Sequence, residues 1–192
     1  GRAFEMGKVK GNMRVLDLGT GRGEMAVLCS KAGAFVDAVD YSEESLKMAK
    51  EFSQKVLGGD FLKRIDFHRV NAKKIDFADN YFDRIFFLEV IEHLYPEEVK
   101  EVLAEIYRVL KPGGQLILST GPNSLIVKPV FFIGTLITGN LIWESRKYHV
   151  NEQNFYSLKG ALESVGFLPI IKIGHQKNWL YGQINGQNIT SP

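Results

Sequence analysis

The stretch VLDLGTGRGE, residues 15–24, joins a short apolar run to three closely spaced glycines. An apolar run that ends in a glycine turn and continues into an amphipathic segment is typical of a buried strand followed by a helix. Glycine allows a sharp turn and lets a ligand approach the amino end of that helix. The stretch therefore predicts an α/β fold with a ligand site at its first strand–helix turn.

The residues around the turn indicate which kind of ligand it binds. A dinucleotide-binding turn needs a glycine where this chain has Glu24, and a phosphate-binding loop needs a lysine followed by serine or threonine. Asp17 lies inside the strand, where a carboxylate suits a cationic ligand better than a pyrophosphate. Asp40 ends the next predicted strand, in position to bind the hydroxyls of a ribose. This pattern indicates a nucleoside cofactor and disfavours a nicotinamide oxidoreductase.

Apolar runs and amphipathic stretches alternate along the rest of the chain, which predicts a mostly parallel sheet with helices on both faces. The length of 192 residues is sufficient for one core and short for two, so a single domain over 1–192 is expected. Predicted strands are 13–18, 35–39, 65–70, 82–88, 115–120 and 168–173. Predicted helices are 23–33, one capped by Ser42, one from Pro96 that stops at Pro112, and one from Asn154 to Gly166. The tail, 182–192, is expected to add a short antiparallel strand.

Composition excludes few classes of function. Lys and Arg number 24 against 22 Asp and Glu, so the charge balance predicts no DNA partner. Cys29 is the single cysteine and can form no internal disulfide, which fits a reducing compartment. No basic-then-apolar leader opens the chain, and a cytoplasmic location is predicted.

Residues 121–150 interrupt the alternation with an apolar stretch, SLIVKPVFFIGTLITGNLIW (124–143). Lys128, Pro129 and Gly134 break this stretch, so it lacks the roughly 20 uninterrupted apolar residues of a transmembrane helix. Two interpretations stay open. The segment is a buried helix pair packed on the sheet edge, or it is a lid over an apolar substrate that also touches a membrane surface.

Taken in order, the motifs resemble those of class I S-adenosylmethionine-dependent methyltransferases, in particular the small-molecule type that includes the O-methyltransferases of ubiquinone synthesis. The likeness extends over about residues 13–173. It implies a Rossmann-like sheet, an apolar insertion after strand five, and an enzyme that transfers a methyl group by in-line displacement. The segments that carry it are VLDLGTGRG (15–23), VDAVDYSEESLKMAK (36–50), NAKKIDFADNYFDRIFFLEVIEHL (71–94), RVLKPGGQLILST (108–120) and HVNEQNFYSLKGALESVGF (149–167).

The resemblance implies a role for individual residues toward S-adenosylmethionine. Asp17 and the glycines would line its methionine half, Asp40 would hold the ribose, and Tyr41 and Ala72 would flank the adenine. Asn71 would lie at the adenine edge; the family usually has Asp there, and Asn keeps one acceptor for the adenine amino group. The cofactor residues implied are Asp17, Gly19, Thr20, Gly21, Gly23, Asp40, Tyr41, Ser42, Asn71, Ala72, Leu88 and Glu89.

The segment FFLEVIEHLY (86–95) places two carboxylates and an imidazole on one face of a helical turn. It resembles the E-x-x-E-H segment with which the ubiquinone O-methyltransferases and the 2′-O-methyltransferases of small-RNA 3′ ends hold a divalent metal. The metal set would be Glu89, Glu92, His93 and His149, and the ion would be Mg²⁺ or Mn²⁺. The alternative is a site without metal, in which His93, His149 and Glu89 are the catalytic candidates.

Three functions remain open at this stage. The favoured one is methyl transfer to a small, apolar, hydroxylated molecule, because such a substrate would account for the apolar insertion. The second is metal-dependent 2′-O-methylation of RNA, which the scattered basic residues disfavour. The third is a pseudo-enzyme that binds the cofactor and acts as a scaffold for a partner. The oligomeric state is left open.

Overall fold

The computed structural model describes residues 1–120, 155–174 and 179–185. The strands in these ranges are β1 (Arg14–Leu18), β2 (Phe35–Asp40), β3 (Ile65–Arg69), β4 (Phe82–Leu88), β5 (Leu110–Thr120), β6 (Leu168–Gly174) and β7 (Trp179–Asn185). They form one sheet of seven strands in the order β3-β2-β1-β4-β5-β7-β6. Strands β1 to β5 pair in parallel, and β7 is antiparallel to both β5 and β6. The predicted mostly parallel sheet is confirmed, and the predicted antiparallel strand near the end is present.

Helices cover both faces of this sheet, as expected. They are α1 (Arg2–Gly7), α2 (Glu24–Lys31), α3 (Glu43–Val56), α4 (Gly59–Leu62), α5 (Pro96–Val109) and α6 (Phe155–Ser164), with a 3₁₀ turn at Ile91–His93. Successive residues of a strand point to opposite faces, so Val15 packs in one core layer and Leu16 in the other. Helices α5 and α6 pack in the layer of Leu16, whereas α1 and α2 pack in that of Val15.

The helix starts follow the sequence signals. The Ser42 hydroxyl accepts a hydrogen bond from the Ser45 backbone N–H and caps α3. Pro96 occupies the first turn of α5, and the Glu98 carboxylate accepts a hydrogen bond from the Tyr95 N–H at 3.0 Å. The apolar positions of α5 then recur at helical spacing and are buried against the sheet.

The start of β5 differs from the sequence-based prediction. The helix ends at Val109 rather than continuing to Pro112, and the strand begins at Leu110 instead of residue 115. Leu110 pairs with Phe82, and the chain then bulges before Gln115 pairs with Arg84. Leu110 pairs with a residue 28 positions earlier, and this pairing ends the helix before Pro112 is reached. Pro112 and Gly113 therefore lie in a bulge within the strand and do not mark the end of the helix.

The predicted lid, residues 121–150, lies outside the described residues, as does the predicted helix start at Asn154. Helix α1, which the sequence pattern does not predict, precedes β1. Within the described ranges, no helix is long and apolar enough to cross a membrane.

Candidate active site

The loop from β1 to α2, residues 19–23, is fixed at the carboxyl edge of the sheet. Gly19 and Thr20 both donate their backbone N–H to the Val39 carbonyl at 2.9 Å. Gly19 and Gly21 have φ of 79° and 53°, in the left-handed region. A Cβ on Gly19 would lie 2.3 Å from a methyl carbon of Val90, whereas a Cβ on Gly21 would have nothing within 4 Å. Gly19 is therefore required by packing, and Gly21 faces open space that a ligand could occupy.

The Asp17 side chain holds this loop in place through hydrogen bonds. Its side chain is buried, and its Oδ2 accepts hydrogen bonds from the Thr20 hydroxyl at 2.7 Å and from the Ala26 N–H at 3.2 Å. Burial raises the pKa of Asp17 to about 6, against the opposing effect of these two hydrogen bonds. The carboxyl thus ties β1 to the glycine loop and to the first turn of α2.

Asp40 lies at the end of β2, beside the same loop. Its Oδ2 accepts the Gly21 N–H at 3.1 Å, and its Oδ1 accepts the Ser42 N–H at 2.9 Å. These bonds hold the carboxylate between the glycine loop and the start of α3, and each oxygen keeps a lone pair for a further donor. The Ser42 side chain is engaged in capping α3, so its observed role is structural.

The segment between β3 and β4, residues 70–81, begins next to Asp40, and we call it the adenine loop after its expected role. The Val70 N–H donates to the Asp40 carbonyl at 3.0 Å, which places Asn71 and Ala72 on the Asp40 side of the site. Asn71 Oδ1 accepts the Lys73 N–H at 3.0 Å, so one of the two lone pairs on the acceptor expected to bind adenine is used within the loop. Tyr41, expected to flank the adenine, is 77% exposed.

Two glutamates meet at the ends of β4 and β5. Glu89 follows β4 with φ of 58°, a strained value for a residue other than glycine. The Ser119 hydroxyl donates to Glu89 Oε1 at 2.8 Å, and the Thr120 hydroxyl donates to Glu92 Oε2 at 3.3 Å. Burial, followed by the nearby charge of Glu92, raises the pKa of Glu89 to about 8. Glu89 is thus a partly buried carboxyl whose pKa lies close to neutral pH. Leu88, the last residue of β4, precedes it and is partly buried.

Sequence reasoning missed three residues of this cluster. Ser119 and Thr120 hold the two glutamates, and Val90 packs against Gly19. A usable signal was present, since the apolar run of β5 ends in Ser-Thr at the carboxyl edge where parallel strands place their ligand sites. Val90 had no local signal, because its contact with Gly19 is made across the sheet.

The predicted metal set is not assembled in the described residues. No three His, Cys, Asp or Glu side chains within 1–120, 155–174 and 179–185 are grouped so that they could hold a metal ion. Glu89 and Glu92 are adjacent, but His93 is exposed at the end of the 3₁₀ turn. The expectation that these three converge is therefore wrong: the 3₁₀ turn does not keep the helical spacing on which it depended. His149 lies outside the described residues.

Comparisons with known proteins agree with this fold and site. The family described as "Methyltransferase domain" matches residues 16–118. A ubiquinone/menaquinone biosynthesis C-methyltransferase of Desulfotalea psychrophila is 31% identical over 186 residues, covering 89% of this chain and 70% of the relative. A demethylmenaquinone methyltransferase of Lactiplantibacillus plantarum is 35% identical over 125 residues, which cover 62% of this chain and 51% of the relative.

Solved structures extend the likeness of fold. A protein of Pyrococcus horikoshii superimposes with a TM-score of 0.76 at 22% identity, over 96% of this chain and 86% of that one. The family match covers the glycine loop, Asp40, the adenine loop and the glutamate pair. The chain therefore belongs to the methyltransferase domain family and is a class I S-adenosylmethionine-dependent methyltransferase.

Proposed function

We propose that this enzyme methylates a ring carbon of a small, apolar, hydroxylated acceptor of the quinol type. The relatives named as quinone C-methyltransferases support the class of acceptor. The observation that carries the proposal is the glutamate pair at the ends of β4 and β5, beside the glycine loop, in which Glu92 is buried and Glu89 is partly buried. An aromatic carbon becomes a better nucleophile when a hydroxyl on its ring loses a proton, so such an acceptor needs a base at this place.

The residues at the carboxyl edge fit S-adenosylmethionine, which supplies a methyl group on a sulfonium. The open side of Gly21 leaves room for a ligand, and the fixed carboxylate of Asp40 can accept hydrogen bonds from two ribose hydroxyls. Asn71 and Ala72 would lie along the adenine, and Leu88 and Glu89 would lie at the methionine end. Asp17 and Thr20 would act by holding the glycine loop in shape.

Glu89 would take the proton of the acceptor hydroxyl, and after the ring carbon has gained the methyl group, the proton lost from that carbon would restore the hydroxyl and the aromatic ring. The base is the ionised carboxylate, and its raised pKa of about 8 means that the ionised fraction increases with pH through that value. The Ser119 hydroxyl donates to Glu89 Oε1, and a further hydrogen bond joins the Glu89 carboxyl to that of Glu92, so the two carboxyls form one unit at this edge of the sheet. His93 and His149 stay candidates for proton transfer beyond Glu89.

The acceptor is proposed to be lipophilic, with residues 121–150 acting as its lid and touching a membrane surface. The support is the apolar sequence 124–143, which follows directly on the end of β5 at Thr120, next to the glutamate pair. The cytoplasmic location likewise stays a prediction. RNA methylation depended on the metal set and gains no support from the described residues.

The test is methyl transfer from S-adenosylmethionine to a demethylated quinol with a short prenyl tail. Carbon and oxygen products are separated by mass spectrometry. For the unmodified enzyme we expect a carbon-methylated product and a rate that rises with pH up to about 8. Glu89→Gln should lower kcat by roughly a hundredfold and abolish the rise. The exposed Glu101→Gln is the matched control and should leave both unchanged. An oxygen-methylated product, or an unaltered pH profile in Glu89→Gln, would overturn the proposal.

A further inference from the structure

The adenine loop has no helix or strand of its own beyond a single bridge between Asn71 and Lys74, yet it must hold a base in a defined place. Its first contact is the hydrogen bond from the Val70 N–H to the Asp40 carbonyl. Several further hydrogen bonds that fix its path are made to helix α5. The motif RVLKPGG, which carried part of the family resemblance, contributes the central residue of these contacts.

Arg108 clamps the second half of the loop to α5. Its guanidinium donates to the Ile75 carbonyl at 2.7 Å, to the Phe77 carbonyl at 2.9 Å and to the Asp79 carboxylate at 2.6 Å. Two further bonds of 2.8 Å go to Glu105, one turn earlier on the helix. The second oxygen of Glu105 also accepts the Ile75 N–H at 2.9 Å. Both polar groups of the Ile75 backbone are therefore bound by this Arg–Glu pair, and the planar guanidinium reaches three loop residues and Glu105 at the same time.

Glu98 clamps the first half of the loop. Its Oε1 accepts a hydrogen bond of 2.7 Å from Lys73 Nζ, and its Oε2 accepts the Tyr95 N–H at 3.0 Å. The Lys73 backbone N–H in turn holds the side chain of Asn71. One carboxylate thus joins the adenine loop to the segment that follows the glutamate pair.

The residues expected to contact the base are held on both sides. Asn71 and Ala72 lie between the Val70–Asp40 hydrogen bond and the Lys73–Glu98 ion pair. The side chain of Ile75 is buried in the α5 core layer and that of Phe77 packs on it. Apolar burial holds the middle of the loop down, and the directional bonds from α5 set where its backbone runs.

We propose that Arg108 and Glu98 are positioning residues for the adenine of the cofactor, acting through the loop and without touching the ligand. This inference rests on the proposed cofactor site. Helix α5 is then the element that presents the base-binding loop. The arginine of the RVLKPGG motif serves the cofactor site from the opposite end of that helix.

The experiment is calorimetric titration of S-adenosylhomocysteine, and of 5′-methylthioadenosine by competition, into the full chain. The variants are Arg108→Ala, Lys73→Met and Lys73→Arg, and the control is Lys63→Ala, which removes an exposed ion pair with Asp60. Calorimetry separates the dissociation constant from the binding-competent fraction of the protein. If Arg108 and Lys73 only stabilised the fold, their variants would lower the binding-competent fraction and leave the dissociation constant unchanged. Binding of S-adenosylhomocysteine by the unmodified chain tests the cofactor site before any variant is used.

We expect Arg108→Ala to raise both dissociation constants by about tenfold, and Lys73→Met by about threefold, because both ligands carry the adenine. Lys73→Arg should restore the affinity, and Lys63→Ala should not alter it. Unchanged dissociation constants would overturn the inference, as would weaker binding of S-adenosylhomocysteine alone, because that would locate the effect at the methionine end. If Arg108→Ala fails to fold, the comparison of Lys73→Met with Lys73→Arg decides the question.

Discussion

At the scale of single residues, the buried carboxyl of Asp17 makes the stability of the folded protein depend on pH. Its pKa is raised from 3.8 to about 6 by burial, so the folded protein holds this proton more tightly than the unfolded chain does. The free energy of unfolding should therefore fall as pH rises from about 4 to about 6, and stay level above that. Asp17→Asn removes the titration while keeping an acceptor for the loop.

In the protein without cofactor, we predict that the free energy of unfolding of Asp17→Asn decreases by about 2 kcal/mol less between pH 4 and pH 7 than that of the unmodified protein. The measurement is urea unfolding of both proteins at pH 4 and pH 7. Because other buried acids also titrate, the informative quantity is the difference between the two proteins at each pH. A constant difference across the range would mean that the Asp17 carboxyl is not held protonated by the fold.

Asn71 offers a second prediction at this scale. Its Oδ1 accepts the Lys73 N–H, which fixes the orientation of the amide, so only one lone pair of that oxygen and the NH₂ group remain for a ligand. The adenine amino group is also a donor, and Asp in this position would present an oxygen to it. Asn71→Asp should tighten S-adenosylhomocysteine binding roughly fivefold. Titration of both proteins checks this, and weaker binding by the Asp variant would show that the amide faces an acceptor.

At the scale of elements, the bulge at the start of β5 depends on two adjacent glycines for different reasons. Gly113 has φ of 77°, and a Cβ there would meet nothing within 4 Å. A Cβ on Gly114 would lie 2.8 Å from the Lys111 carbonyl oxygen and from a Leu110 methyl carbon. Gly113 is therefore required for its left-handed backbone conformation, whereas Gly114 is required because there is no room for a side chain.

Asparagine tolerates the left-handed conformation better than other residues, so it separates these two requirements. Gly113→Asn should cost less than about 1 kcal/mol of unfolding free energy, whereas Gly114→Asn should cost about 2 to 3 kcal/mol because the backbone must shift. Chemical denaturation of the two variants makes the comparison. Equal losses would indicate that the bulge rearranges around either side chain.

At the scale of the whole molecule, all carboxyl ends of the parallel strands lie at one edge, and every proposed cofactor contact lies there. Hydrogen exchange with and without S-adenosylhomocysteine should therefore divide the turns into two sets. Exchange should slow by about tenfold or more at 19–23, 40–42, 70–72 and 89–92. It should change less at the opposite edge, in the turns 8–13, 32–34 and 63–64. Equal protection of both edges would contradict the assignment of the site.

Local sequence pattern determined a large part of this molecule. The buried runs that became β1 to β4, the cap at Ser42 and the glycine turn were all readable, because periodicity and turn chemistry depend only on neighbouring residues. Asp17 and Asp40 indicated the kind of ligand for the same reason, since each lies at a strand–turn junction. The resemblance of the ordered motifs identified the family that the comparisons then confirmed.

Tertiary structure alone decided how distant residues meet. Glu89 and Ser119 are 30 positions apart, and they pair because β4 and β5 are neighbours with Leu88 opposite Ser119. The same pairing begins β5 at Leu110, against the local signal, and the 3₁₀ turn at residues 91–93 leaves His93 exposed beside the glutamates. A one-dimensional pattern specifies which face a residue takes within its own element. The order and register of the strands, which are non-local, decide what that face touches.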